Sequence, residues 1–305
     1  MKEIASFELY SQKVAQFYED RQICLPEDVF AECFTIAGSE PRGHSDLARF
    51  EVGSPGFEQV VELLRKQGAP IIDLNRSNGI RCIRVGRFIE FEKEDLKLAK
   101  YFTVNPMKER LEAFPEAWHQ RRIESIGKPK KSVKLGNHNM TNWVCMASKE
   151  FMDLMTAEGF TGFTWREVGV KKKPATGFEP SFLMEATTTA LPTATGYLVD
   201  KGAFVERYED VPDTSRCHPA PGYSPAPYIY EDTDLEGISL DFTVTHETFG
   251  SSAGDRIQIP IMSRKLVTWL EKQKVKLKAM PLVSVSEIEA CRKGSLDEFL
   301  DSPPD

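Results

Sequence analysis

Acid–base, metal or nucleophilic chemistry in this chain would have to be built from a small set of residues. They are the histidines His44, His119, His138, His218 and His246, the cysteines Cys24, Cys33, Cys82, Cys145, Cys217 and Cys291, and the serine Ser148. Their spacing supports little of that chemistry. A zinc site draws His and Cys from short spacings such as CxxC, and here the histidines stand far apart and no CxxC pair occurs. The adjacent Cys217 and His218 offer poor geometry for two ligands on one ion. No GxGxxG dinucleotide fingerprint is present, and the one GxSxG spelling, Gly250-Ser251-Ser252-Ala253-Gly254, is followed by a strand-like run instead of the helix that a nucleophile elbow requires. "TFGSSAGDR", residues 248–256, looks like a phosphate-cradling turn but lacks the Lys-Ser/Thr ending of a P-loop and reads as a plain turn. A hydrolase-type site assembled in three dimensions would draw on His138, His218, His246, Glu247 and Ser148, since His and carboxylate exchange protons near neutral pH. Each of these also has a structural reading, as a polar strand-edge residue, a loop residue or a helix cap. No cofactor is expected.

The elements that would position these residues follow from periodicity. "SPGFEQVVELLRKQG" places Phe57, Val60, Val61 and Leu64 at helical spacing, with Ser54 as N-cap, Pro55 at the first helical position and Gly68 as the stop. "IRCIRVGRFIEF" is rich in β-branched and aromatic residues and predicts one or two strands. "EKEDLKLAKYF" follows as a charged helix or an extended segment. "NPMKERLEAFPEAWHQRRIES" predicts a helix begun by Asn105-Pro106, and "GKPKKSVKLGNHN" an exposed basic linker.

"WVCMASKEFMDLMTAEGFTGFTWREVGV" combines an apolar strand, a helix capped by Ser148 with Phe151, Leu154 and Met155 on one face, a stop at Gly159 and a returning strand. The same plan returns in "IQIPIMSRKLVTWLEKQKVKLKAMPLVSV". At an offset of 115 residues (263 minus 148), Ser148 falls on Ser263, Phe151 on Leu266, Leu154 on Trp269 and Met155 on Leu270. A true internal repeat and a chance likeness between two amphipathic helices account for this equally well. Between the copies, residues 171–237 are rich in Pro, Gly, Ser and Thr and are expected to be a long irregular loop. The chain is therefore expected to be α+β, with mixed sheets, packed short helices and two strand-helix-strand units flanking that loop. Its expected halves are residues 1–130 and 131–290, followed by a flexible acidic tail over 291–305.

The chain has 305 residues, 41% of them apolar and 28% charged, which suits a folded core without disulfide or metal support. Cys82 and Cys145 sit in apolar runs and read as reduced, buried thiols. Neither a secretory signal nor an apolar run of the ~20 residues a membrane span needs is found, so a cytoplasmic location is expected. The net charge of −7 argues against general nucleic-acid binding. Its distribution is uneven. Between Glu206 and Asp241 nine acidic residues face only Arg207 and Arg216, a local balance of −7 that equals the excess of the whole chain. Aromatic residues interleave with these acids at Phe204, Tyr208, Tyr223, Tyr228 and Tyr230, which suggests a partner-facing loop. Tyr228, Tyr230, Glu231, Asp232, Asp234 and Glu236 are the expected contact residues: clustered carboxylates steer a basic partner and tyrosines anchor it.

The succession "EKEDLKLAKYFTV", "WVCMASKEFMDLMTAEGFTGFTWREV", "DFTV" and "IPIMSRKLVTWLEKQKVKLKAMPLVSV" resembles predicted immunity proteins of bacterial toxin systems. The likeness is to the myxobacterial type that carries a double CxxCG motif. The shared features are a strand, a Ser-Lys or Ser-Arg helix start, an apolar helix ending near glycine, and a strand finishing at Met280-Pro281-Leu282-Val283, over roughly residues 90–285. Both CxxCG pairs are missing and Cys217 stands alone in their place, so the resemblance implies no zinc. It implies binding and blocking of a cognate protein toxin without catalysis, the toxin presenting a basic surface.

Overall fold

The computed structural model describes residues 1–18, 22–74, 81–106, 110–111, 113–115, 123–126, 134–138, 145–170, 181–190, 198–200, 203–205, 217–218, 228–246, 248–249, 258–291 and 296–301. The fold is α+β and divides into two compact units. One comprises Met1–Asp95, Gly202–Val205 and Ser286–Asp305; the other comprises Leu96–Lys201 and Glu206–Val285. Strand Tyr101–Pro106 pairs with Pro260–Ser263 and Leu277–Pro281, strands of the second unit. No helix among the described residues is long and apolar enough to cross a membrane.

In the first unit, strand Lys2–Ser11 runs antiparallel to Ser45–Glu51 on one side and to Ile83–Glu90 on the other. Strand Ile71–Asp73 pairs parallel with Ile83–Glu90, and Cys24–Leu25 pairs parallel with the end of the first strand. Side chains alternate across a strand, so Ala5, Phe7 and Leu9 share one face. They enter a single apolar cluster with Phe30 and Phe34 of helix Glu27–Ile36 and with Phe57, Val60, Val61 and Leu64 of helix Pro55–Lys66. Phe7 meets Phe50 edge-on at 5.8 Å. The second helix has the predicted ends. Ser54 Oγ accepts from Phe57 N at 3.2 Å, and Gly68 takes φ +67° at the stop.

The expectation of a frayed tail fails over residues 296–301. Leu296 is fully buried in the same cluster, and Phe299 and Leu300 pack against it. Acidic composition suggested solvation, but Leu296 and Phe299, three residues apart in a short helical turn, present one apolar side.

The second unit contains both strand-helix-strand copies. Strand Met146–Ser148, helix Lys149–Ala157 and strand Phe163–Val170 form the first; strand Pro260–Ser263, helix Arg264–Lys272 and strand Leu277–Pro281 form the second. In each copy the two strands are parallel but not adjacent, because an antiparallel strand lies between them. That middle strand is Ser181–Ala186 in the first copy and Tyr101–Pro106 in the second. An outer antiparallel strand flanks each, Leu135–His138 in one and Phe242–Val244 in the other. The helices share one core with Phe102, Val104, Met184 and Phe242. Trp269 of the second helix contacts Phe151 of the first at 5.5 Å.

Two further expectations are corrected here. Asn105 and Pro106 end a strand instead of opening a helix, pairing with Lys278 and Leu277, and short strands follow at Arg110–Leu111, Ala113–Pro115 and Ile123–Ile126. Pro115 cannot donate within a helix and disfavours helical geometry at Phe114. The region 171–237 is not irregular throughout: besides Ser181–Ala186 it holds strands Leu198–Asp200, Ala203–Val205, Cys217–His218 and Ile229–Tyr230 and helix Asp232–Gly237. Turn-rich flanks had diluted the apolar run Phe182-Leu183-Met184.

Candidate protein-binding surface

The predicted contact residues divide by burial. Tyr228 and Tyr230 are 4% and 0% exposed, in an apolar cluster with Ala190, Ile259, Ile261 and Leu282. They are therefore not surface anchors, as the sequence had suggested. The cause is the strand Ile229–Tyr230, which pairs parallel with Val283–Ser284 and is extended by a hydrogen bond from Val283 N to Tyr228 O at 3.1 Å. That pairing draws both phenol rings inward, and hydrophobic burial of rings of this size outweighs their value as exposed contacts.

The acids emerge directly from this buried base. Asp234 N and Leu235 N both donate to Glu231 O at 3.0 Å, which starts helix Asp232–Gly237. Leu235 and Ile238 lean on the tyrosine cluster, while Glu231, Asp232 and Glu236 are exposed and Asp234 is half-buried. Asp232 and Asp234 occupy the first turn, where negative charge suits the helix dipole. Tyr101 closes the far end by donating from Oη to Ile238 O. Burial, and secondarily Asp241, push the Tyr101 phenol above its ordinary pKa, which keeps this donor protonated. The result is a carboxylate-bearing turn fixed to an apolar base. Of the other aromatics expected here, Phe204 lies in strand Ala203–Val205 of the first unit, and Tyr208 and Tyr223 lie outside the described residues.

Of the residues considered for hydrolytic chemistry, His138 ends strand Leu135–His138, paired with Leu111. Ser148 Oγ accepts from Phe151 N at 3.3 Å as a helix cap. His246 is exposed at the end of its strand segment, and Glu247 lies outside the described residues, as do residues 250–257 of the glycine-serine turn. Strand Cys217–His218 pairs parallel with Thr248–Phe249, which brings the backbone of those two sequence candidates together. Cys33, Cys82 and Cys145 are buried, as expected for Cys82 and Cys145. Burial pushes the Cys33 and Cys145 thiols up to about 12, so neither is a thiolate near neutral pH. Among the described residues no group of three or more His, Cys, Asp or Glu converges as a metal site.

One organising residue escaped the sequence reading. Asp241 was counted only as part of the acidic excess, yet its carboxylate accepts from Thr161 N at 3.1 Å, Thr161 Oγ1 at 3.3 Å and Ser263 Oγ at 2.8 Å. Lys265 Nζ stands 3.5 Å away. Asp241 thus joins the turn after the first helix to the cap of the second. Its only sequence signal is its place just before the apolar strand Phe242–Val244.

The described architecture defines an α+β protein with twin strand-helix-strand units and a fixed acidic turn. Family models, curated proteins and solved structures all return no match for this chain.

Proposed function

We propose that this chain is a protein-binding protein that blocks a cognate bacterial toxin in the cytoplasm, acting by occlusion rather than catalysis. The observation that carries the reading is the turn at residues 231–236, where Glu231, Asp232, Asp234 and Glu236 crowd into six residues above a buried tyrosine base. Such a surface suits a basic partner. Its carboxylates need little ordering on binding because the helix start and the apolar base already hold their backbone, and preorganisation of this kind favours affinity. Clustered charge also accelerates encounter with an oppositely charged protein. With the tyrosines interior, affinity must come from the acids and whatever apolar surface adjoins them. The sequence likeness to bacterial immunity proteins supports the identity of the partner as a toxin, and a toxin acting on nucleic acid presents the basic cleft that these acids complement.

The test is protection in a growing host. The product of the gene adjacent to this one is expressed in a bacterial strain with and without the chain. Restored growth with the unmodified chain, lost when Glu231, Asp232 and Glu236 are all changed to Lys, is the expected result. Equal protection by the triple variant removes the acidic turn from the account, and absence of toxicity or of protection removes the immunity reading.

A further inference from the structure

In the first unit, the edge of the sheet beside helix Pro55–Lys66 is occupied by a short segment of the same chain. Strand Ile71–Asp73 has one strand partner among the described residues, Ile83–Glu90, and at Ile71 its other edge meets residue 301. Ile71 N donates to Asp301 Oδ2 at 2.8 Å, and Asp301 N donates to Ile71 O at 2.8 Å. Arg65 on the helix donates from Nη2 to Phe299 O at 2.9 Å and lies 3.8 Å from the Asp301 carboxylate. Phe299 stands edge-on to Phe57 at 5.0 Å, and Leu296 fills the apolar cluster beneath.

These contacts are those of linear-motif recognition. A sheet edge captures the backbone of an incoming segment, a pocket takes its aromatic side chain, and a charged group fixes its register. Leu296, Phe299 and Asp301 supply the apolar, aromatic and charged parts in turn. The seat is also local and partly open: Phe299 and Leu300 are half-buried, the Asp301 side chain is 39% exposed, and an open groove lined by Glu58, Val61, Glu62, Arg65 and Lys66 continues past the Phe299 ring.

We infer that this groove is a peptide-recognition site for a segment of pattern Leu-x-x-Phe-x-Asp, filled in cis by residues 296–301, which act as an exchangeable latch. Covalent tethering raises the local concentration of the cis segment to roughly the millimolar range, so a free peptide competes only when the cis segment is weakened.

The test uses the full chain carrying Phe299→Ala and Asp301→Ala, with a fluorescein-labelled peptide of residues 295–305 read by fluorescence anisotropy. Saturable binding at least ~10-fold tighter than to the unmodified chain is expected, weakened ~10-fold or more when Arg65→Ala is added. A folded double variant that binds no peptide, or that binds a scrambled peptide equally well, overturns the proposal. So does a double variant that fails to fold, since a segment the core requires is not exchangeable. Hydrogen exchange of the unmodified chain gives a second reading. The Ile71 and Asp301 amides are expected to exchange ~100-fold or more faster than those of Val60, Val61 and Leu64, as local opening requires. Equal protection contradicts a latch.

Discussion

Lys274 and Gly159 stand at the same place, 115 residues apart, each just past its helix, and both have left-handed backbone, φ +61° for the lysine and +69° for the glycine. Glycine adopts this conformation without steric cost, whereas a side chain costs ~1–2 kcal/mol there. Lys274→Gly is therefore expected to raise stability by up to ~1 kcal/mol after the greater chain entropy of glycine is counted, measured as a shift in urea midpoint. Gly162 is the opposite case. Its φ is +95°, and an added Cβ would stand 2.0 Å from Phe242 O, so space is closed as well as conformation. Gly162→Ala is expected to lose at least ~3 kcal/mol by the same measurement. An unchanged midpoint would show that the strand Phe242–Val244 is free to move away. Sequence made the Gly159 stop legible because it follows an apolar helical face; the close approach at Gly162 depends on a strand some 80 residues later, and no local pattern announces it. The same limit applied to Tyr228 and Tyr230, whose pairing partners lie near residue 283.

The helices Lys149–Ala157 and Arg264–Lys272 are nine residues each, opened by Ser148 and Ser263; both caps were readable from sequence, as were the buried Phe151, Met155, Leu266 and Leu270, whereas Leu154, expected on the same face, is 47% exposed. The middle strands were not. One follows its unit and one precedes it, so neither lies within the aligned stretches, and Ser181–Ala186 sits in a segment whose Pro and Thr content reads as loop. Likewise, the tail's place in the first unit depends on contacts more than 200 residues distant in sequence. The two caps are predicted to differ in weight. Ser148→Ala removes one acceptor and is expected to cost ~1 kcal/mol. Ser263 Oγ accepts from Leu266 N and also donates to Asp241, so Ser263→Ala leaves a mostly buried carboxylate short of a donor and is expected to cost ~2 kcal/mol or more. Equal losses in thermal unfolding of the two variants would mean that Asp241 finds a replacement donor.

Across the whole molecule the charge is −7, and the acids that concentrate it at Glu231–Glu236 are carried by a short helix on an apolar base. Composition revealed the concentration of charge; only the fold revealed which of those residues face outward. Exposed charge acts across water and is screened over about 8 Å at physiological salt, so its contribution to binding should be visible as a salt dependence. The central claim is that this acidic turn grips a basic toxin, and the direct test is titration calorimetry of the purified chain with the adjacent gene's product at low and high salt. The account predicts that raising salt from about 0.05 to 0.5 M weakens the unmodified chain ~10-fold or more, and that changing Glu231, Asp232 and Glu236 to Lys, with the fold preserved by circular dichroism, abolishes most of both affinity and salt dependence. Tight, salt-independent binding that the triple variant retains in full would contradict it.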